Sequence, residues 1–201
     1  HKYSSQKFQH NHSVSQEYQE KIRNVYQYLK SEGYITGPLY NGERHCSNPN
    51  WKKGVDDSAF DSDKLTGMQV KLGKQKNGLY LCCLDIDVNK NGSELPFMIL
   101  DQFKPVLGDS FYSETSVSQG YHILFKTRRP LDVNRKWKLP GGETIEILWS
   151  DHDTVNMAPT SSYIKKYKFS GYPEYGVSEP LSSLEDIPIV ETDDVQDFVN
   201  S

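Results

Sequence analysis

An apolar run that ends in two aspartates constrains the fold of this chain more than any other feature. Residues 79–84 read Leu-Tyr-Leu-Cys-Cys-Leu, and Asp85 and Asp87 follow directly. Successive side chains of a strand point to opposite faces, so both carboxylates share one face while Leu84 and Ile86 share the other. The run therefore predicts a core strand that ends with two like charges, which repel each other unless a cation lies between them. Two solvated aspartates at a strand end are the simpler alternative.

A second motif puts a histidine and a lysine on one face of another predicted strand. Residues 115–126 form a turn of small polar residues that continues into an alternating strand, where His122 and Lys126 lie opposite three apolar side chains. Ser118 and Gly120 in the turn leave room for an anion to approach backbone N–H groups, and the histidine and lysine offer further donors. We predict a phosphate-binding site here; a structural histidine is the alternative.

A third predicted strand carries a single acidic residue. In residues 144–149, isoleucines alternate with Glu146, whose carboxylate would complete a set of three with Asp85 and Asp87. A solvent-facing glutamate is the alternative for this position taken alone. The Asp-His-Asp sequence at 151–153 has metal-binding side chains, but its turn-like context favours a polar hairpin tip.

The order of these motifs resembles a known family. The matching segments are Asp-Ile-Asp at 85–87, Ser-Gln-Gly-Tyr-His-Ile-Leu-Phe at 118–125, Ile-Glu-Ile-Leu at 145–148 and Met-Ala-Pro-Thr-Ser at 157–161. Together they resemble the archaeo-eukaryotic primase superfamily, specifically the primase-polymerase domain at the N-terminus of replication proteins of plasmids, phages and integrated elements. The resemblance spans about residues 35–190. Two positions depart from the family pattern: Gly120 stands where Ser is frequent, and Glu146 where many relatives carry Asp.

The resemblance implies both a fold and an activity. The fold would be α+β, an antiparallel RNA-recognition-motif-like palm sheet with an N-terminal α/β subdomain. The activity would be DNA-templated nucleotidyl transfer, as a DNA primase, a DNA polymerase or both, with single-stranded template, primer and nucleoside triphosphates as partners. A helicase commonly follows such a domain.

The resemblance also implies residue roles. Asp85, Asp87 and Glu146 would be catalytic and would bind two Mg²⁺ or Mn²⁺ ions, which suit carboxylate oxygens. The nucleotide-binding residues would be His122, Lys126, Ser118 and Gly120.

The charge distribution is compatible with a nucleic-acid partner. The net charge is −4, but all eight acidic residues from Glu174 onward lie in a stretch without Lys or Arg, so residues 1–173 carry 23 basic against 19 acidic residues. A basic cluster lies between the second and third motifs, and from it we predict DNA-binding roles for Arg128, Arg129, Arg135 and Lys136. A solvated face is the alternative. A second candidate patch combines lysines and aromatic residues: Lys165, Lys166 and Lys168 with Tyr163, Tyr167 and Phe169.

Length and composition indicate one globular domain over residues 1–201. We expect residues 1–14 to be flexible and residues 190–201 to begin a helix or linker of a longer protein. No apolar stretch reaches the ~20 residues that a membrane-spanning helix needs. The three cysteines include no C-x-x-C pair, so we expect no structural zinc, reduced thiols and a cytoplasmic location.

The coarse layout of elements follows from periodicity and turn residues. A helix is predicted from about 18 to 29, starting at Ser13 or Ser15 and ending at Gly33, and a second from 97 to 107, ending at Gly108. Strands are predicted at 67–72, 79–88, 121–127, 144–149 and 154–158, with Asn77-Gly78 as a hairpin turn between the first two. Residues 33–66 are predicted to be an irregular loop.

Two other functions fit the same residues. A metal-dependent nuclease would use the three carboxylates with a water nucleophile and His122 as general base. A noncatalytic nucleic-acid-binding module would use the sheet alone, although three acidic groups facing a phosphate ligand would then lack a role.

Overall fold

The computed structural model describes residues 11–88, 94–133, 136–164 and 174–201. The α-helices of these ranges are α1 (Gln16–Ser31), α2 (Leu95–Leu107) and α3 (Thr192–Asn200). The strands are β1 (Thr36–Tyr40), β2 (Leu65–Lys71), β3 (Gly73–Lys74), β4 (Tyr80–Asp87), β5 (Tyr112–Thr115), β6 (Tyr121–Thr127), β7 (Lys136–Lys138), β8 (Thr144–Leu148), β9 (Thr154–Met157), β10 (Thr160–Tyr163) and β11 (Tyr175–Ser178). The predicted α+β class with mainly antiparallel sheets is confirmed.

The largest sheet has β4 at its centre. Its strand order is β5-β6-β4-β8-β7, all neighbours are antiparallel, and the short β3 pairs with the first residues of β4. One face of this sheet is covered by α2 and α3, which pack on Leu84, Ile86 and Phe125. These side chains are fully buried, as the alternating pattern of β4 and β6 requires.

The other face of the large sheet is covered only in part. A three-stranded sheet of order β1-β2-β9, backed by α1, packs on a row of side chains formed by Tyr112, Leu124 and Cys83. Beyond that row the face opens into a cleft between the two sheets. A small third sheet pairs β10 with β11.

The two long predicted helices are confirmed, and local residues explain their ends. The hydroxyl of Ser15 accepts the Tyr18 backbone N–H at 3.1 Å, which satisfies one free donor at the start of α1. Gly33 and Gly108 follow α1 and α2 with φ of +86° and +90°, a backbone region that glycine adopts without steric cost.

The predicted hairpin and the predicted loop both differ from the structure. Asn77 and Gly78 do form a hairpin turn, but it joins β4 to the two-residue β3, whereas β2 pairs with β1 and β9 in the other sheet. The loop predicted over 33–66 contains β1, whose Gly37 and Pro38 look like turn residues in the sequence but are buried. Strand β5 was not predicted either.

The start of the described chain is attached to the small sheets. The backbone N–H of His12 donates to Asn41 at 3.3 Å, its ring stacks on Tyr175 at 4.0 Å, and its Nε2 lies 2.8 Å from the Ser161 hydroxyl. Of the 1–14 segment predicted to be flexible, residues 1–10 lie outside the described ranges. Among the described helices, none has the length and apolar content needed to cross a membrane.

Candidate functional site

Five charge-bearing residues form one row across five neighbouring strands. The register pairs Glu114 with His122, His122 with Asp85, Asp85 with Glu146, and Glu146 with Lys136. Directly opposed residues of paired strands project from the same face, so the five side chains lie side by side. The sequence predicts only the face of each strand, and the ladder brings three of the predicted motifs into one line.

Asp87 extends this row along β4. It lies two residues beyond Asp85 and pairs with Thr144, so it projects from the same face nearer the end of the strand. Asp85 is partly exposed and Asp87 is exposed. The structure therefore brings Asp85, Asp87 and Glu146 to one surface of the sheet.

This surface is one wall of a cleft of about 500 Å³. The sheet wall supplies the three carboxylates with His122 and Lys136. The facing wall comes from the small sheet and the loop after β1, and its polar residues are Arg44, His45, Gln69, Thr154 and Asn156. Acidic groups on one side and a guanidinium on the other can accommodate a cation together with an anionic ligand.

Arg44 and His45 are site residues that the sequence did not reveal. Their loop is fixed by Gln69 of β2, whose Oε1 accepts the Cys46 N–H at 2.8 Å and whose Nε2 donates to the Arg44 carbonyl at 3.1 Å. These contacts join residues 23 and 25 positions apart, and no periodicity marks the loop. Only the tertiary structure connects them to the carboxylates.

His122 is held between two carboxylates. Its Nδ1 lies 3.1 Å from Glu114 Oε2 and its Nε2 lies 3.5 Å from Asp85 Oδ1. Burial by itself lowers the pKa of His122, but the hydrogen bond and charge of Glu114, then the charge of Asp85, raise that pKa above its usual value. The two carboxylates therefore favour the protonated form of the His122 ring.

Asp85 is costly to ionise in the protein alone. Burial raises the pKa of the Asp85 carboxyl, the charge of Asp87 raises it further, and His122 and Lys136 act in the opposite direction. A bound cation would relieve both the burial cost and the repulsion between the two aspartates.

The donor set fits a divalent ion by its chemistry. Carboxylate oxygens are the ligands that Mg²⁺ and Mn²⁺ prefer. Among the described residues, no three His, Cys, Asp or Glu side chains lie close enough to form a ready-made metal cluster. Asp85, Asp87 and Glu146 lie on one face of the sheet but are not close enough to form such a cluster. Their side chains would therefore need to move toward a bound ion.

Glu114 is a third residue of the candidate site that the sequence did not reveal. It is fully buried on β5 and accepts hydrogen bonds from the Tyr112 hydroxyl at 2.7 Å and from the Ala158 N–H at 3.2 Å. Tyr112 and Glu114 are buried and alternate with the small, partly exposed residues Ser113 and Thr115, directly before the 116–120 turn. That alternation is typical of the first strand of a hairpin with β6, but four residues give little periodicity to detect.

Ser118 and Gly120, the two residues of the turn before β6 that are predicted to bind nucleotide, have different surroundings. Ser118 lines the cleft, and its hydroxyl lies 3.4 Å from that of Ser116. The Gly120 N–H donates to the Ser116 hydroxyl at 2.8 Å, and a Cβ at Gly120 would overlap the backbone oxygen of Ile86. Gly120 is therefore required for the close approach of β4, and its N–H is not available to a phosphate.

Lys126 does not lie near His122, which corrects the predicted pairing. It pairs with Leu81 at the opposite end of β6, and its ammonium lies 5.8 Å from the centre of the Tyr34 ring. Its backbone N–H donates to Pro188 and its carbonyl accepts from Val190, each at 2.8 Å. Lys126 is on the predicted face of the strand but is absent from the lining of the cleft.

The predicted DNA-binding residues do not form one patch. Arg128 forms an ion pair with Glu191 at 3.1 Å, and Arg129 with Asp193 at 2.8 Å, at the start of α3. Lys136 instead lines the cleft. The other predicted cations lie outside the described residues: Arg135, Lys165, Lys166 and Lys168.

Comparisons with known proteins add no relative. No family model matches this sequence, and no curated protein matches it. The function must therefore be argued from the geometry of the cleft.

Proposed function

We propose that this chain catalyses DNA-templated nucleotidyl transfer, as a primase, a polymerase or both, on a primase-polymerase fold. The observation that supports this most is the row that joins Asp85 and Glu146 to His122 on neighbouring strands, with Asp87 beside it. It combines the three motifs of the resemblance in a single cleft.

The carboxylates would hold divalent cations. Asp85, Asp87 and Glu146 are the residues that would bind Mg²⁺ or Mn²⁺, and the raised pKa of Asp85 is the feature that an ion would relieve. When bound, two such ions supply activation of a primer hydroxyl and neutralisation of phosphate charge.

The cations of the cleft would bind the triphosphate. His122 presents Nε2 beside Asp85, while Arg44 and Ser118 line other parts of the same cleft. Charged donors bind phosphate oxygens more strongly than neutral ones do. They would also stabilise the charge that develops as pyrophosphate departs.

A group of lysines beside the cleft would bind the template. Lys52 and Lys53 lie in the connection between β1 and β2. Lys52 and Lys71 both contact the turn formed by residues 151–152, which brings this connection close to the lysines around β3. Lys52 Nζ donates to the His152 carbonyl at 3.2 Å, and Lys71 Nζ lies 3.1 Å from Asp151. Lys71 is ion-paired with Asp151 and only 12% exposed, so we name the lysine surface for its other members: Lys52, Lys53, Lys74 and Lys76.

The position of the lysine surface connects it to the cleft. Lys71 pairs with Thr154, which lines the cleft. The Lys76 ammonium lies 3.0 Å from where a Cβ would stand on Gly54, next to Lys53. Lysines from two separate segments thus lie together despite their like charges, as expected of a surface that binds a phosphate backbone.

The two carboxylates beside His122 favour a donor role over the general-base role that the nuclease alternative needs. A general base must be unprotonated when it accepts a proton from water. Burial lowers the pKa of His122, but Glu114 and Asp85 raise it overall, and a raised pKa favours the protonated ring, which donates to anions rather than accepting a proton.

A cytoplasmic location and a helicase partner remain predictions from the sequence.

Primer extension tests this proposal. The protein is incubated with a primed single-stranded DNA template, with deoxyribonucleotides or ribonucleotides, and with Mg²⁺ or Mn²⁺ in turn. Extension that is lost in Asp85→Asn supports nucleotidyl transfer. Degradation of the template would instead identify a nuclease, and binding without either reaction would identify a noncatalytic module.

A further inference from the structure

Glu114 is a buried carboxylate with no exposed surface, on the strand next to His122. Removing a carboxylate from water is strongly unfavourable unless it is paired and hydrogen-bonded. A residue of this kind at the edge of a candidate active site calls for a reason beyond packing, because an apolar side chain would fill the same space at less cost.

Both oxygens of Glu114 are engaged. Oε1 accepts the Tyr112 hydroxyl at 2.7 Å, both oxygens lie 3.2 Å from the Ala158 N–H, and Oε2 lies 3.1 Å from His122 Nδ1. Tyr112 and Ala158 would satisfy the carboxylate without the histidine. The contact with His122 is the one that reaches the cleft.

The register of β5 and β6 makes this contact directional. Glu114 and His122 are directly opposed, so the carboxylate meets the ring from the side away from Asp85. With Nδ1 bound to Glu114, the ring must present Nε2 toward Asp85 and the cleft. The other imidazole nitrogen of a functional histidine is commonly oriented by such a partner.

Glu114 also connects the two walls of the cleft. Ala158 follows β9, the edge of the small sheet that supplies the facing wall, while His122 belongs to the large sheet. One carboxylate therefore fixes the position of the histidine relative to the residues across the cleft.

We infer that Glu114 is a positioning residue: it holds the imidazole of His122 so that Nε2 faces a phosphate group of a nucleoside triphosphate bound beside Asp85. The inference rests on the proposed function for the class of ligand. Glu114 itself does not contact that ligand, because it has no surface in the cleft.

A double-mutant cycle tests this role. The dissociation constant of a nonhydrolysable nucleoside triphosphate is measured for the wild type, Glu114→Gln, His122→Ala and the double variant. We expect Glu114→Gln to weaken binding about tenfold, the loss typical of a charge-assisted hydrogen bond. In the His122→Ala background the same substitution should have no further effect, because there is no ring left to orient.

Tyr112→Phe is the matched control. It removes another hydrogen bond to the same carboxylate, so it should lower the melting temperature as Glu114→Gln does, yet leave triphosphate affinity within about twofold. Equal loss of affinity in Tyr112→Phe, or an equal effect of Glu114→Gln with and without His122, would reduce Glu114 to a structural residue.

An NMR measurement on the wild type keeps the inference testable if Glu114→Gln does not fold. In protein with ¹⁵N-labelled histidine, the Nδ1 proton of His122 should be hydrogen-bonded and protected from exchange. A freely exchanging Nδ1 proton would overturn the inference. If the wild type binds no triphosphate at all, the proposed function fails first, whereas normal binding by Glu114→Gln would refute this inference alone.

Discussion

The two ends of β6 belong to one strand, but the side chains at these ends have different surroundings. His122 and Lys126 are four residues apart, roughly 13 Å at the rise of a strand, and both point to the face that carries Asp85. His122 lines the cleft, whereas the Lys126 side chain lies near the Tyr34 ring and its backbone pairs with residues 188–190. The two-residue alternation of a strand therefore predicts the face on which a side chain lies. It does not predict which other segments lie near that side chain.

The ion pairs at the two ends of β6 differ in their exposure to solvent. At the cleft end, His122 and Glu114 are both buried and satisfy each other. At the far end, the ion pairs of Arg128 and Arg129 with α3 have side chains more than 60% exposed. Exposed pairs contribute about 0–1 kcal/mol each, so the far end adds little beyond contact with α3, while the pair at the cleft end fixes the position of a buried histidine.

The largest expected effect is at the carboxylates. Asp85→Asn or Asp87→Asn should reduce primer extension by at least about 10³-fold, because a metal ligand with a full charge is lost. Asp132→Asn, an exposed acid beyond the far end of β6, is the matched control and should extend normally. Near-normal extension by either cleft variant would refute the metal-site assignment.

Asp85→Asn should also change stability in a pH-dependent way. Because burial raises the pKa of Asp85, the folded state disfavours its charge, and that cost is present above the usual carboxyl pKa and disappears as the pH falls below it. Without divalent ions, the variant should melt above the wild type at pH 7 and at the same temperature near pH 3. A constant difference would assign the effect to packing.

The next effect compares the two ends of β6 directly. His122→Ala should weaken binding of a nonhydrolysable triphosphate by roughly 10–100-fold, since a charged donor to phosphate is lost. Lys126→Met, on the same face of the same strand, should bind as the wild type does. Isothermal titration of both variants measures this, and a comparable loss in Lys126→Met would reunite the two residues in one site.

A smaller effect separates the two basic regions. Lys53→Ala with Lys76→Ala should weaken binding of single-stranded DNA about equally for all sequences and reduce the salt slope by roughly 0.7 per lost phosphate contact. Arg128→Ala with Arg129→Ala removes the same number of charges, but those charges already have partners on α3. Binding isotherms at several salt concentrations should show a shallower slope only for the lysine variant, and the reverse result would exchange the two assignments.

The sequence predicted the site where local rules suffice. Asp85 follows an apolar run and His122 and Glu146 lie in alternating strands, so the sequence predicts the face of each, and antiparallel pairing brings the three together. Arg44 could not be found, because its position depends on Gln69 in another element. The surroundings of Lys126 are likewise nonlocal, since its backbone pairs with residues 188–190, more than 60 positions away, and its ammonium lies near Tyr34.

The fold was predictable to a similar extent. Helices α1 and α2 carry both periodicity and end signals, so their ends were predicted closely. Strand β1 was missed because Gly37 and Pro38 look like turn residues, although the structure buries both. Strand β5 was missed because four residues are too few to show a period, and Glu114 was missed with it.

The smallest effect concerns the stability of the far end. Burial lowers the pKa of the Lys126 ammonium, with the charge of Glu32 acting in the opposite direction. The folded state therefore disfavours the protonated form, and this cost is fully present below the folded pKa and is relieved as the pH rises through it. Lys126→Met keeps an apolar chain over Tyr34 without the charge, so it should melt slightly above the wild type at pH 7. That advantage should shrink as the pH rises toward the usual lysine pKa and the wild-type ammonium loses its proton. Melting curves across this range test it: an advantage that stays constant with pH would come from methionine packing, and one that grows would mean that the fold stabilises the charge.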